Sequence, residues 1–196
     1  MKKTLASVAV ALAVSTPAIS APESYTLDQY HTYAHFTIDY IGYMTMRGRF
    51  DKTAGKFMMD RAARTGSVDV AIEAASVTTG DNERAGRPRT RDEHLRAADF
   101  FNVAEFPRIT YKSTAVKFAG DAPSEVEGQL TMNGVTRPVA LKIEKWKCGM
   151  HPFWKKEACG GDATARIKRS DFGIKFGLPA LGDDIGLHIP FVAAKD

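Results

Sequence analysis

The residues most able to do chemistry stand together in "RTRDEHLRAADFF", Arg89 to Phe101. Asp92, Glu93 and His94 are consecutive and lie between Arg91 and Arg96, so an acid, a base and an anion-binding charge share one short segment. The apolar residues Leu95, Ala98 and Phe101 recur there at helical spacing, with Asp92 and Glu93 in the first turn, where the helix dipole favours them. The spacing predicts a helix of about three turns from Arg91 to Phe101. Consecutive helical residues point about 100° apart, so Asp92 cannot orient His94 as a triad requires. No G-x-S-x-G elbow occurs in the chain. A solvated charged face accounts for Asp92, Glu93 and Arg96, and no catalytic residue is assigned.

Metal chemistry is also poorly supported. His31 and His35 are four apart, which on a strand turns them to opposite faces. Met44, Met46, Met58 and Met59 could handle copper, but at strand spacing they read as core. Cys148, Cys159 and His151 would need Glu157 or Asp162 as a fourth ligand and match no common zinc spacing. No metal site is assigned. Two cysteines in an exported chain favour one disulfide, Cys148–Cys159, stapling the hairpin loop "CGMHPFWKKEAC". The dense arginines Arg84, Arg87, Arg89, Arg91 and Arg96 could meet a phosphate, a quinone carbonyl or an anionic headgroup. An ordinary solvated loop is the competing reading.

The elements that must position these residues begin after a leader. Lys2 and Lys3 precede the apolar run Thr4–Val14, and Ala18 and Ser20 suit cleavage before Ala21, so residues 1–20 read as a signal peptide. Removing 20 of 196 residues leaves a single domain, 21–196, of 176. Its 25 basic and 23 acidic residues give a net charge of +2, too balanced for a nucleic-acid binder. No second apolar run approaches the ~18 residues of a membrane span.

Period-two alternation dominates that domain. Ala34, Phe36, Ile38 and Tyr40 share one parity, as do Val68, Val70 and Ile72, and Ile185, Leu187, Ile189 and Phe191. One apolar face and one wet face is the pattern of antiparallel sheet. "MNGVTRPV" supplies a hairpin turn at Asn133-Gly134. About eight such strands fit either a sandwich or a closed barrel, and small inward residues such as Ala34, Ala163 and Gly128 lean towards a lumen.

Five stretches occur in order: "YTLDQYHTYAHFTIDYIG", "MRGRFDKTAGKF", "RDEHLRAADFFNVAEFPRITYKS", "GQLTMNGVTRPVALKI" and "IKRSDFGIKFG". Together they resemble the YceI-like family, the periplasmic polyisoprenoid-binding proteins with a lipocalin-like fold. The chain departs from the family pattern at "DNERAGRPRT", a longer and more basic loop. The resemblance implies an all-β fold, an eight-stranded antiparallel lipocalin-like barrel with one short helix between strands four and five. It implies a periplasmic protein that binds, stores or transports an isoprenoid lipid, a polyprenyl compound or isoprenoid quinone, without chemistry and with no cofactor beyond that ligand. Strand parity then selects Ala34, Phe36, Ile38, Tyr40, Phe50, Phe57, Val70, Ile72, Ile109, Tyr111, Leu130, Met132, Ile167 and Phe172 as lumen residues, with Arg91 and His94 as headgroup candidates at the mouth. Two rival readings are an enzyme acting on such a lipid and a module delivering quinone to a membrane redox protein such as a cytochrome b-type protein. Pairing of two chains into a homodimer is a further expectation to be checked.

Overall fold

The computed structural model describes residues 21–196, so the expected leader lies outside the described residues. Eleven strand segments follow one another: β1 (Glu23–Leu27), β2 (Ala34–Tyr40), β3 (Met44–Phe50), β4 (Thr53–Asp60), β5 (Thr65–Glu73), β6 (Val77–Thr78), β7 (Arg108–Ala119), β8 (Ala122–Met132), β9 (Val135–Met150), β10 (Glu157–Lys168) and β11 (Leu181–Lys195). One α-helix, α1 (Arg91–Arg96), lies between β6 and β7. The first six segments are three bent staves, because β1 pairs with β4 while β2 pairs with β3, and β3 also pairs with β6. Merging them gives an eight-stranded antiparallel barrel, closed where β11 meets β1 at Tyr25↔Lys195 and β2 at Leu187↔Phe36. Closure removes the two sheet edges that a sandwich would keep. In this eight-strand count α1 follows the third stave and precedes β7. That is one strand earlier than the expected place between strands four and five, because each of the first three staves is broken into two segments.

Asn133 and Gly134 both take positive φ, 50° and 74°, and turn β8 directly into β9 with Met132 opposite Val135. Two left-handed residues match the strand twist, which is why Asn-Gly fits here. The disulfide joins Cys148 to Cys159, directly opposite one another on β9 and β10. The two cysteines are therefore strand residues, and only His151–Lys156 turns the chain.

α1 is capped as its sequence dictates. Thr90 Oγ1 accepts from the Glu93 amide, and the Glu93 carboxylate accepts from the Thr90 amide. It ends sooner than the expected Phe101, because Ala97 leaves helical geometry at φ −75°, ψ 172°. Helical propensity over so few residues is marginal in water, and packing decides instead. The extended exit brings Phe101 edge-on to Phe50, with ring centroids 5.2 Å apart.

Two packed clusters lie along the barrel. One, at the α1 end, gathers Phe50, Val77, Ile109, Phe172 and Ile174, with Leu95, Phe100 and Phe101 packed on it. The other, at the disulfide end, gathers Tyr25, Phe57, Met59 and Cys159 with Trp146 and Phe191.

An apolar lumen as the candidate binding site

Inside the barrel these clusters wall a cavity, with Phe50, Ile109 and Leu130 from one and Phe57, Met59 and Trp146 from the other. The lumen and its open part together hold about 1350 Å³ of atom-free space, walled almost wholly by aliphatic and aromatic side chains. Of the lumen residues expected from parity, all line it except Ile38, Tyr40 and Phe172. Ile38 and Tyr40 keep their parity, but the β2–β3 hairpin runs past the end of the ring: β3 has β6 beside it only at Arg49 and Phe50. Neither lines the lumen, and Tyr40 is 38% exposed. Phe172 is fully buried, but in the cluster that seals the α1 end rather than against the lumen.

Several wall residues fell outside the sequence expectation because bulges reverse parity. On β7 the ladder with β8 slips between Ser113 and Ala115, so after Ile109 and Tyr111 the inward residues are Val116 and Phe118. On β9 the slip at Asp162/Ala163 turns the chain between Ile143 and Trp146, and both face the lumen. One extra residue exchanges the two faces of a strand. Thr53 was also overlooked. It is the inward residue of β4 opposite Ile72, buried to 3% exposure, and its parity with Phe57 was the available signal.

The wall is shaped as well as lined. Gly128 leaves room for the Tyr111 ring, since a Cβ there would fall 2.5 Å from the ring carbon Cζ. The Tyr111 hydroxyl lies 2.8 Å from the Val126 carbonyl and 3.0 Å from that of Val139, and burial pushes its pKa up. It is thus a neutral, occupied wall group.

The ladder between β5 and β7 is incomplete. It runs from Glu73↔Arg108 to Asp69↔Lys112, and next the Val68 amide donates to the Ser113 hydroxyl at 2.7 Å instead of a backbone carbonyl. Beyond that point no backbone ladder joins the two strands, although Gly66 stays against the Val116 side chain, and Gly66, Val68, Val116, Phe118 and Pro123 line the lumen there. Exposed ion pairs bracket this slot, Lys112–Asp69 at 3.4 Å and Arg64–Asp121 at 3.7 Å. Such pairs hold it weakly.

The charged segment that opened the sequence does not reach the lumen. Asp92 is buried, accepting from Thr78 Oγ1, the Thr79 amide and Thr79 Oγ1 at 3.0, 2.8 and 2.6 Å. Arg96 donates to the carbonyls of Ala75 and Val77. These contacts correct the reading of a solvated face: Asp92 and Arg96 bolt α1 to β6. They also turn the two headgroup candidates away from the lumen. Arg91 donates to Thr79 Oγ1, and His94 meets Asp99 at 2.9 Å with its ring edge-on to Phe100 and Phe176. The loop arginines are self-paired, Arg84 with Glu93, Arg87 with Asp81, and Arg89 with Asp99. The Arg87 guanidinium, aided by the Arg91 amide, holds the Asp81 carboxyl down to about 2. Met44 and Met58 are exposed, 54% and 45%, and only Met59 of that group is core. Among the described residues, no cluster of three His, Cys, Asp or Glu side chains has metal-binding geometry.

Known proteins share this architecture. The pattern of the YceI-like domain matches residues 25–193. A UPF0312 protein of Pseudomonas paraeruginosa is 36% identical over 190 residues, 95% of each chain. The protein YceI of Escherichia coli is 35% identical over 192 residues, 96% of each. Among solved structures, Burkholderia cenocepacia BcnA superposes with a TM-score of 0.66 at 22% identity, over 86% of this chain and 99% of that one. A polyisoprenoid-binding domain from Saccharophagus degradans, implicated in plant cell wall breakdown, reaches 0.63 at 15% identity, over 89% and 99%. With the domain pattern spanning nearly all of the barrel and relatives matched end to end, this chain belongs to the YceI-like family.

Proposed function

We propose that this protein carries or stores an isoprenoid lipid, a polyprenyl compound or isoprenoid quinone, inside its barrel and releases it unchanged. The observation that carries this reading is the apolar lumen itself, walled by side chains of both core clusters. Each buried methylene is worth ~0.8 kcal/mol, so a tail of several isoprene units gains strongly from enclosure. Affinity of this kind comes from the wall and asks little of the head. The binding named for the Saccharophagus domain supports the same class of guest. The signal-peptide pattern of residues 1–20 and the Cys148–Cys159 bond favour an exported, periplasmic site of action. Among the described residues, no helix is long and apolar enough to cross a membrane.

Lipid extracted from protein isolated from its native host should yield, by mass spectrometry, one long isoprenoid per chain. Recovery of empty protein, or of straight-chain lipid only, sinks the reading. The β5–β7 slot is the proposed loading route. A Cβ built at Gly66 lies 3.7 Å from that of Val116, inside the ~3.5–4.5 Å range of disulfides, and 2.9 Å from the Met58 carbonyl oxygen, so β4 must shift slightly to admit it. The Gly66→Cys/Val116→Cys double variant, once oxidised, should take up fluorescent polyprenyl lipid more slowly by about tenfold or more, and reductant should restore the rate. Uptake that is indifferent to the cross-link places the route elsewhere.

A further inference from the structure

Thr53 Oγ1 is buried in the lumen wall without a hydrogen-bond partner. Buried hydroxyls nearly always have one, and leaving one unpaired in an apolar site is costly. The neighbouring polar wall group, Thr32, reaches the Val192 carbonyl only at 3.5 Å, and the Tyr111 hydroxyl is already held by two carbonyls. Thr53 therefore keeps an unused donor and acceptor at the wall of the sleeve, whereas Ser67 and Trp146, which also line it, are less buried.

Its position is specific. Thr53 opposes Ile72 on β5, and Phe50 of the α1-end cluster is three residues before it. Phe57 and Met59, on the same face of β4, belong to the cluster at the disulfide end. The hydroxyl is thus set towards the α1-capped end, several strand residues from the other.

No charge accompanies it. The ionisable residues touching the lumen wall are Lys56 and His35, besides the occupied Tyr111. Lys56 Nζ is engaged outside the barrel by Asp196 at 2.8 Å, and the His35 ring stands beside Tyr33 and His188 on the outer face. A diphosphate drawn to Thr53 would lose its hydration with no cation to replace it.

We infer that Thr53 is a specificity-determining anchor for one neutral oxygen of the guest, a prenyl alcohol or a quinone carbonyl, bound head-inward beneath the α1-capped end. A hydroxyl guest satisfies Thr53 and is satisfied by it, whereas a pure hydrocarbon leaves it orphaned. This inference rests on the proposed lipid-carrier function and names the class of head.

The test compares three guests of one C20 skeleton on delipidated protein: geranylgeraniol, the matching hydrocarbon without the hydroxyl, and geranylgeranyl diphosphate. Wild type should prefer the alcohol to the hydrocarbon by about tenfold, the value of one buried hydrogen bond left unmade. Thr53→Val, which keeps the shape and removes the hydroxyl, should abolish that preference while leaving hydrocarbon and diphosphate affinities within about twofold. It should also raise the Tm of the empty protein by roughly 2–4 °C, because the orphan hydroxyl is gone. Thr53→Ser should retain the alcohol preference, and Thr53→Ala replaces the valine variant if that one misfolds. A prenyl quinone in place of the alcohol separates carbonyl from hydroxyl recognition within the same class. Equal losses for alcohol and hydrocarbon, or none for either, overturn the anchor and leave the carrier standing. If wild type binds none of the three guests, both fall together.

Discussion

Replacing Ala163 by tryptophan is expected to empty the barrel while leaving it folded. Ala163 is buried in the middle of β10, faces the lumen and lies between Ile143 on β9 and Ile189 on β11. An indole there occupies space that the wild-type chain leaves free, so the cost in packing strain is smaller than in a filled core. The cost to the guest is large. Excluding one five-carbon unit forfeits ~4 kcal/mol at ~0.8 kcal/mol per carbon, roughly a thousandfold in affinity. Native mass spectrometry of the variant should therefore show the apo mass and a normal charge-state distribution. Arg166→Trp, three residues along on the exposed face of the same strand, should keep its cargo. A fully loaded Ala163→Trp protein would mean that the lipid is held somewhere other than this lumen.

The second large effect is on stability. Arg169 is 3% exposed, and its guanidinium donates to the carbonyls of Gly182, Ile174, Phe176 and Leu181 at 2.8, 3.3, 2.9 and 3.2 Å. Burial pulls its pKa down, with the Asp183 carboxylate opposing that shift. The Asp183 carboxylate in turn accepts from the amide and hydroxyl of Ser170. One side chain thus gathers the β10–β11 connection and holds Phe172 in the cluster that seals the α1 end. Arg169→Met keeps much of the length and removes every donor, stranding four backbone carbonyls. A loss of ~3–5 kcal/mol is expected, as when one partner of a buried charged network is removed. For a domain of this size that lowers Tm by on the order of 10 °C. Arg169→Lys should recover little, because an ammonium cannot span four acceptors in the plane of a guanidinium. A thermal melt within about 1 kcal/mol of wild type would show the loop to be held by other means.

Arg169 also illustrates how legible the molecule is from its residues. The run Arg169-Ser170-Asp171-Phe172-Gly173 is recognisable as a family signature, yet nothing local reveals that its arginine satisfies carbonyls up to thirteen residues away. The Asp92-Glu93-His94 cluster misleads in the opposite direction. Its composition suggests chemistry or a wet surface, whereas Asp92 is a buried acceptor for Thr78 and Thr79. The acidic first turn of α1 and the turn at Asn133-Gly134 were readable because each is settled by residues within four positions, whereas the capping box at Thr90, equally local, went unread. The length of α1 was not, since Phe101 leaves the helical pattern to meet Phe50, and that ring arrives from another stave.

By itself the amino-acid sequence determined that this is a sheet protein with one wet and one apolar face, which residues share a face between bulges, and which two cysteines join. Those properties depend on backbone periodicity and neighbours along the strand. Tertiary structure decided that the apolar faces enclose space instead of filling it, that the Ile38–Tyr40 row overshoots the ring, and that parity reverses at Ser113–Ala115. Alternation states which way a side chain turns. What it meets across the barrel depends on ring closure, stave length and register, which are set by hydrogen bonds between strands far apart in the chain.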